Sequence, residues 1–189
     1  MKTSALIILL ALILSVPFAN AGTEQGATEI QVQGAFTNTT NSENDDKTMT
    51  STGQLSLNYF LTDWLSIGGS GRLSGSKTEY EDSSRDSTTT TSFLMFNSDL
   101  YLGGPTKTFI PYLGVRLGIA NSKFESGGND NSSSTASYGG HIGLKIFPSE
   151  SVSWNLELDV TSYTPEAEEG QDEITWTNSS LLLGFSYYF

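Results

Sequence analysis

The chain has 189 residues, with 9 lysines and arginines against 21 aspartates and glutamates, a formal net charge of −12, and no cysteine. So acidic a composition, without a basic stripe to neutralise phosphates, makes a poor nucleic-acid binder. The lack of thiols excludes a disulfide framework, a thiolate metal site and attachment through a lipidated amino-terminal cysteine.

The chain opens with MKTSALIILLALILSVPFANAG. A basic start at Lys2, an apolar run over 5–16, a helix-breaking Pro17 and the small residues Ala19 and Ala21 read as a secretory signal peptide spanning 1–21. The apolar run is about a dozen residues, short of the roughly 20 a spanning helix needs. Removing Lys2 with this segment leaves 8 basic against 21 acidic residues over 22–189, a net charge of −13. No charge run or Pro-rich linker divides that remainder, so it reads as one domain.

Eight segments with two-residue alternation follow, and none has a convincing helical period. The first, 28–37, sets Ile30, Val32 and Phe36 against Glu29, Gln31 and Gln33; the second, 50–60, sets Leu55, Leu57 and Tyr59 against Gln54, Ser56 and Asn58. The third, 64–74, opposes Leu65, Ile67 and Leu73 to Ser66, Ser70 and Arg72. The fourth, 92–102, opposes Leu94, Phe96, Leu100 and Leu102 to Asn97 and Asp99, with Phe93, Met95 and Ser98 out of pattern. The fifth, 110–120, alternates Leu113, Val115, Leu117 and Ile119 with Tyr112, Gly114, Arg116 and Gly118. The sixth, 138–147, alternates Ile142, Leu144 and Ile146 with His141, Gly143 and Lys145. The seventh, 152–163, pairs Val152, Trp154, Leu156, Leu158 and Val160 with Asn155, Glu157, Asp159 and Thr161. The eighth, 176–189, places Leu181, Leu183, Phe185, Tyr187 and Phe189 opposite Ser180, Gly184 and Ser186.

The links after the second, fourth and sixth segments are short, around LTDW, GGPTKT and PSES, whereas the others are long and polar. Short turns at one end and long loops at the other are the pattern of outer-membrane barrels. The expected fold is therefore all-β, an eight-stranded antiparallel up-and-down transmembrane β-barrel. Its rival is a soluble lipocalin-like barrel with the apolar face inward. The export signal, the one-sided loops and the aromatics near strand ends weigh against that rival. Those aromatics are Phe36, Tyr59, Phe60, Trp64, Tyr101, Phe109, Phe147, Trp154 and Trp176, where interfacial girdles would lie.

The closing LLLGFSYYF, with Leu181, Leu183, Phe185 and Tyr187 at alternate positions before a terminal Phe189, resembles the carboxy-terminal strand signal of bacterial outer-membrane proteins. The stretch LNYFLTDWLSIGGSG is similar to the strand, tight turn and strand of small OmpA-type and OmpX-like barrels, and IPYLGVRLGIA to their fifth strand. The resemblance implies a Gram-negative cell outer membrane location. It also implies recognition of the last strand by the barrel-assembly machinery, and outer-membrane lipid and lipopolysaccharide as surroundings. With the chain stopping at the barrel, the peptidoglycan-binding role of full-length OmpA-type proteins does not carry over.

The inward faces would carry Glu29, Arg72, Asp99, Arg116, His141, Lys145, Glu157 and Asp159 in a lumen only wide enough for side chains. Buried charges must pair, so a salt-bridged polar plug is expected, with a gated pore as the alternative. A hairpin about Ser149 and Glu150 would set Lys145 and His141 across from Asn155, Glu157 and Asp159. His141 is the only histidine, and no hydroxyl is marked as its partner, so lipid A-modifying catalysis is disfavoured and no enzyme is expected. The loops are Ser, Thr, Asn and Asp rich, with the densest acid at Glu166, Glu168, Glu169, Asp172 and Glu173. Hard oxygen ligands suit calcium or magnesium, but no fixed-spacing calcium loop is present, so neither a metal nor a cofactor is assigned. The function expected is structural or adhesive, with loops meeting an extracellular ligand or surface; the alternative is a small-solute, porin-like channel.

Overall fold

A computed structural model of the protein describes residues 22–40, 47–79, 87–104, 108–126, 129–164 and 175–189. The signal segment and the acidic residues at 166–173 lie outside these. Eight strands follow in order: β1 Thr28–Thr40, β2 Lys47–Thr62, β3 Leu65–Glu79, β4 Ser87–Tyr101, β5 Phe109–Ser126, β6 Asn129–Ser149, β7 Val152–Tyr163 and β8 Trp176–Tyr188. Each pairs antiparallel with its chain neighbours, and β8 returns to β1, so the sheet is a closed barrel.

Alternation decides which way each side chain points. Along β2 and β7 buried and exposed residues succeed each other almost without a break. The large apolar residues are on the outside: Leu55, Leu57, Leu94, Val115, Leu117, Ile142, Leu181 and Leu183 are all exposed. The inside is polar, with Gln31, Gln54, Asn58, Asn97 and Asn155 buried. This is the reverse of a lipocalin and suits a barrel whose outer solvent is hydrocarbon.

Two sequence expectations are corrected. Phe60, Tyr101 and Phe147 are not girdle aromatics: Phe60 and Tyr101 are buried inside, and Phe147 packs half-buried against them. They share the inward parity of Asn58, Asp99 and Lys145, and the rings fill the narrowing end of the barrel. Trp176 is exposed, but it pairs across from the buried Tyr163 and so lies on the inward-turned side at the rim. In the fourth strand Phe93 and Met95 lie on the inward face among the polar residues, as their parity in the sequence indicates, and there they join Ala120 and Tyr163 in a second apolar cluster.

The strands also outrun the apolar pattern. β5 and β6 continue to Ser126 and from Asn129, through sequence that reads as a long loop. Hydroxyl pairs across neighbouring strands support such extensions: Thr48–Thr78 and Thr50–Ser76 at 3.2 Å and Thr91–Ser122 at 3.0 Å. A ladder needs no apolar face once it has left the membrane, so periodicity underestimates it.

The end with the short turns is closed from below. Gly26, at φ 89°, turns the chain so that its N–H donates to the Phe60 carbonyl, and Gln25 N–H donates to Asp63 Oδ1 at 2.8 Å. Ala27 is thereby buried among Phe60, Tyr101, Ile110, Tyr112 and Tyr188. The positive φ is a conformation glycine adopts without a Cβ penalty.

Candidate functional site

The eight acidic and basic residues expected on the inward faces are all buried: Glu29, Arg72, Asp99, Arg116, His141, Lys145, Glu157 and Asp159. They meet at two levels, each beside one of the apolar clusters. Nearer the turn end, Lys145 of β6 forms an ion pair with Glu29 of β1 across the interior. The Lys145 ammonium lies 5.0 Å from the centroid of the Tyr112 ring, 5.8 Å from Tyr188 and 5.9 Å from Tyr101, within the range of cation–π attraction. Glu29 also accepts hydrogen bonds from Asn58 Nδ2 and the Tyr188 hydroxyl, each at 3.1 Å, and from the Tyr101 hydroxyl at 3.4 Å. One cation and one anion are thus enclosed by phenols.

Nearer the loop end two guanidiniums share carboxylates. Arg116 donates to Glu157 at 2.9 Å and pairs with Asp159; Arg72 donates to the other oxygen of Asp159 at 2.6 Å and to Gln54 at 2.8 Å. Asp159 is therefore a bridge between β3 and β5 through β7. Tyr112 joins the levels, donating its hydroxyl to Glu157 at 2.8 Å while its ring faces Lys145. Above, the Arg72 guanidinium lies 5.8 Å from the Phe93 ring, which meets Tyr163 edge-on.

His141 Nε2 lies 2.9 Å from Asp99 Oδ1, and its ring is edge-on to Tyr112. Space for this pair comes from Gly114: a Cβ there would run into both Asp99 and the His141 ring. Gly143 makes room for the Tyr112 ring in the same way. Register places Lys145 opposite Asn155 and His141 opposite Asp159, but their closest charged partners come from other strands, Glu29 and Asp99.

The arrangement holds opposite charges in place at low dielectric. Among the described residues no group of His, Asp or Glu side chains is arranged to hold a metal ion. Sequence reasoning missed the aromatic contribution of Phe60, Tyr101 and Tyr188, although all three share the parity of the polar face. At the carboxyl end, Leu181, Leu183 and Phe185 are exposed, with Tyr187 and Phe189 partly so, while Leu182 and Tyr188 are wholly inside.

The family described as outer membrane protein beta-barrel domain matches residues 6–189. No curated protein matches the chain. Among solved structures the barrel is similar to Neisserial surface protein A, at 16% identity and a TM-score of 0.57, covering 87% of this chain and 100% of that one. It is also similar to Ail, the attachment invasion locus protein of Yersinia pestis, at 16% identity and a TM-score of 0.50, over 87% of this chain and 99% of that one. The same protein in complex with the heparin analogue sucrose octasulfate matches at 15% identity and a TM-score of 0.54, again over 87% and 99%. At these identities the likeness is one of fold.

Proposed function

Because the chain belongs to the outer membrane protein beta-barrel domain family, we propose that it is a closed barrel of the Gram-negative outer membrane that acts through its outward surface rather than its lumen. The observation that carries this reading is the charged interior, buried at both levels and flanked by apolar clusters at either end. In an eight-stranded barrel the interior is just wide enough for side chains, so paired charges and rings occupy the space a solute would need. On this reading residues 1–21 are a signal peptide, residues 22–189 are the barrel domain, and the short-turn end faces the periplasm. Leu181, Leu183, Phe185, Tyr187 and Phe189 are the strand read by the assembly machinery, and outer-membrane lipid and lipopolysaccharide surround the wall.

The loops, including Glu166, Glu168, Glu169, Asp172 and Glu173, are presented outside for adhesion or surface protection. Ail is crystallised with a sulfated sugar, but a chain with a net charge of −12 repels polyanions. A neutral or basic surface fits it better.

Two measurements on one preparation test the reading. Proteoliposomes containing the barrel should admit small sugars no faster than empty liposomes. Cells expressing the barrel with shortened loops between β1 and β2, β3 and β4, and β7 and β8 should adhere less to cultured cells while the barrel still inserts. Rapid sugar entry through the intact protein would contradict the reading and favour a small-solute channel.

A further inference from the structure

The barrel does not close to the same height all round. β1 and β8 share six register pairs, Glu29↔Tyr188 to Gly34↔Leu183, whereas β1 makes thirteen with β2 and β8 makes twelve with β7. Below these six, Thr28 and Phe189 exchange both backbone hydrogen bonds. Above them both strands continue, β1 to Thr40 and β8 back to Trp176, with no ladder between them. Among the described residues no other strand pairs with either edge. Where the seam is formed it is tight, since a Cβ on Gly184 would run into the Val32 carbonyl. The opening is confined to the loop end.

Hydrogen-bonding positions alternate along an antiparallel ladder. Counting up from Thr28 and Phe189, the N–H and C=O groups of Phe36, Asn38 and Thr40 face the seam from one side, and those of Leu181, Ser179 and Thr177 from the other. A row of alternating donors and acceptors at strand spacing is complementary to another extended backbone. At its lower end, Phe36 and Leu181 point outward and are exposed at the upper margin of the apolar band.

We propose that the open upper part of the β1–β8 seam is a strand-acceptor site, which captures an extended, uncharged peptide segment of another molecule by β-augmentation. Residues 35–37 and 176–182 carry no charge, although the chain as a whole is strongly acidic. The matching segment is therefore neutral, with an apolar residue where it passes between Phe36 and Leu181. The proposal deepens the surface-acting reading and rests on it, in that the loop end must point out of the cell. Sugar entry reads the lumen and the assay below reads the seam, so the two can fail separately.

The test uses the protein purified from membranes in detergent and a fluorescent synthetic peptide with the sequence of residues 176–183, the segment whose own partner edge is left unpaired. Thr37→Cys with Ser180→Cys places two thiols across an unformed, non-hydrogen-bonded pair, where strands approach most closely. The chain has no other cysteine, so the bridge is unambiguous. Saturable binding is expected for the wild type and the reduced variant, and oxidation should weaken it by about tenfold or more. In addition, the peptide should slow amide exchange at Phe36 and Leu181, which keeps the proposal testable if the bridge does not form. Binding unaffected by oxidation, no saturable binding to the wild type, or unchanged exchange would overturn the proposal. Dimers that vanish on oxidation while the peptide fails to bind would overturn it in favour of a second copy of the chain.

Discussion

The two charged levels of the interior solve the same problem differently. At the turn end Lys145 and Glu29 form an exclusive pair of charges, and the further hydrogen bonds to Glu29 come from neutral groups, among them the Asn58 amide and the Tyr101 and Tyr188 phenols. At the loop end Arg72 and Arg116 divide Asp159 between them, and Glu157 gives Arg116 a second anion. Sharing leaves loose ends: Arg72 Nη2 and Arg116 Nε have no protein partner among the described residues, whereas Lys145 and Glu29 leave no charged atom unpartnered. An exclusive pair is intolerant of losing one member. A shared cluster redistributes.

That contrast orders the expected effects of substitution. Lys145→Ala strands the Glu29 carboxylate inside a phenol cage, and breaking a buried pair in this way costs about 3–5 kcal/mol. Urea unfolding in lipid vesicles should show the shift as a lower midpoint with an unchanged slope. Asp159→Asn leaves Glu157 on Arg116 but takes the anion from the buried Arg72, so the loss should reach the lower end of the same range, about 3 kcal/mol. Arg72→Ala leaves Asp159 paired with Arg116 and should cost less than Lys145→Ala by the same assay; an equal or larger cost would break the contrast. The mildest change, Tyr112→Phe, removes the single hydroxyl that links the levels and should cost about 1 kcal/mol. Outside the comparison, Leu117→Arg on the exposed lipid-facing wall should destabilise by about 2–4 kcal/mol if that position lies near the bilayer midplane.

Alternation made the eight strands and their facing legible in the sequence, because lipid outside and polar side chains inside impose a period of two wherever the barrel crosses the apolar layer. It assigned Glu29, Arg72, Asp99 and the other five charges to one face. It did not reveal which charges meet. Arg72 and Asp159 are 87 residues apart, and pairing across a lumen depends on side-chain reach rather than on spacing. Strand ends past Ala120 and before Tyr138 carry no strand signal for a related reason: Ser, Thr and Asn on both faces leave no hydropathy alternation while their hydroxyls still pair. Phe60 and Tyr101 read as girdle residues because an aromatic at a strand end suits either a girdle or the barrel interior, and only parity separates the two.

The central claim is that the charged interior closes the barrel. Its most direct test is single-channel recording of the purified protein in a planar bilayer, with insertion verified separately. The account predicts stable insertion with no discrete current from the wild type; steady unitary openings of the wild type, altered by Arg72→Ala or Arg116→Ala, would contradict it.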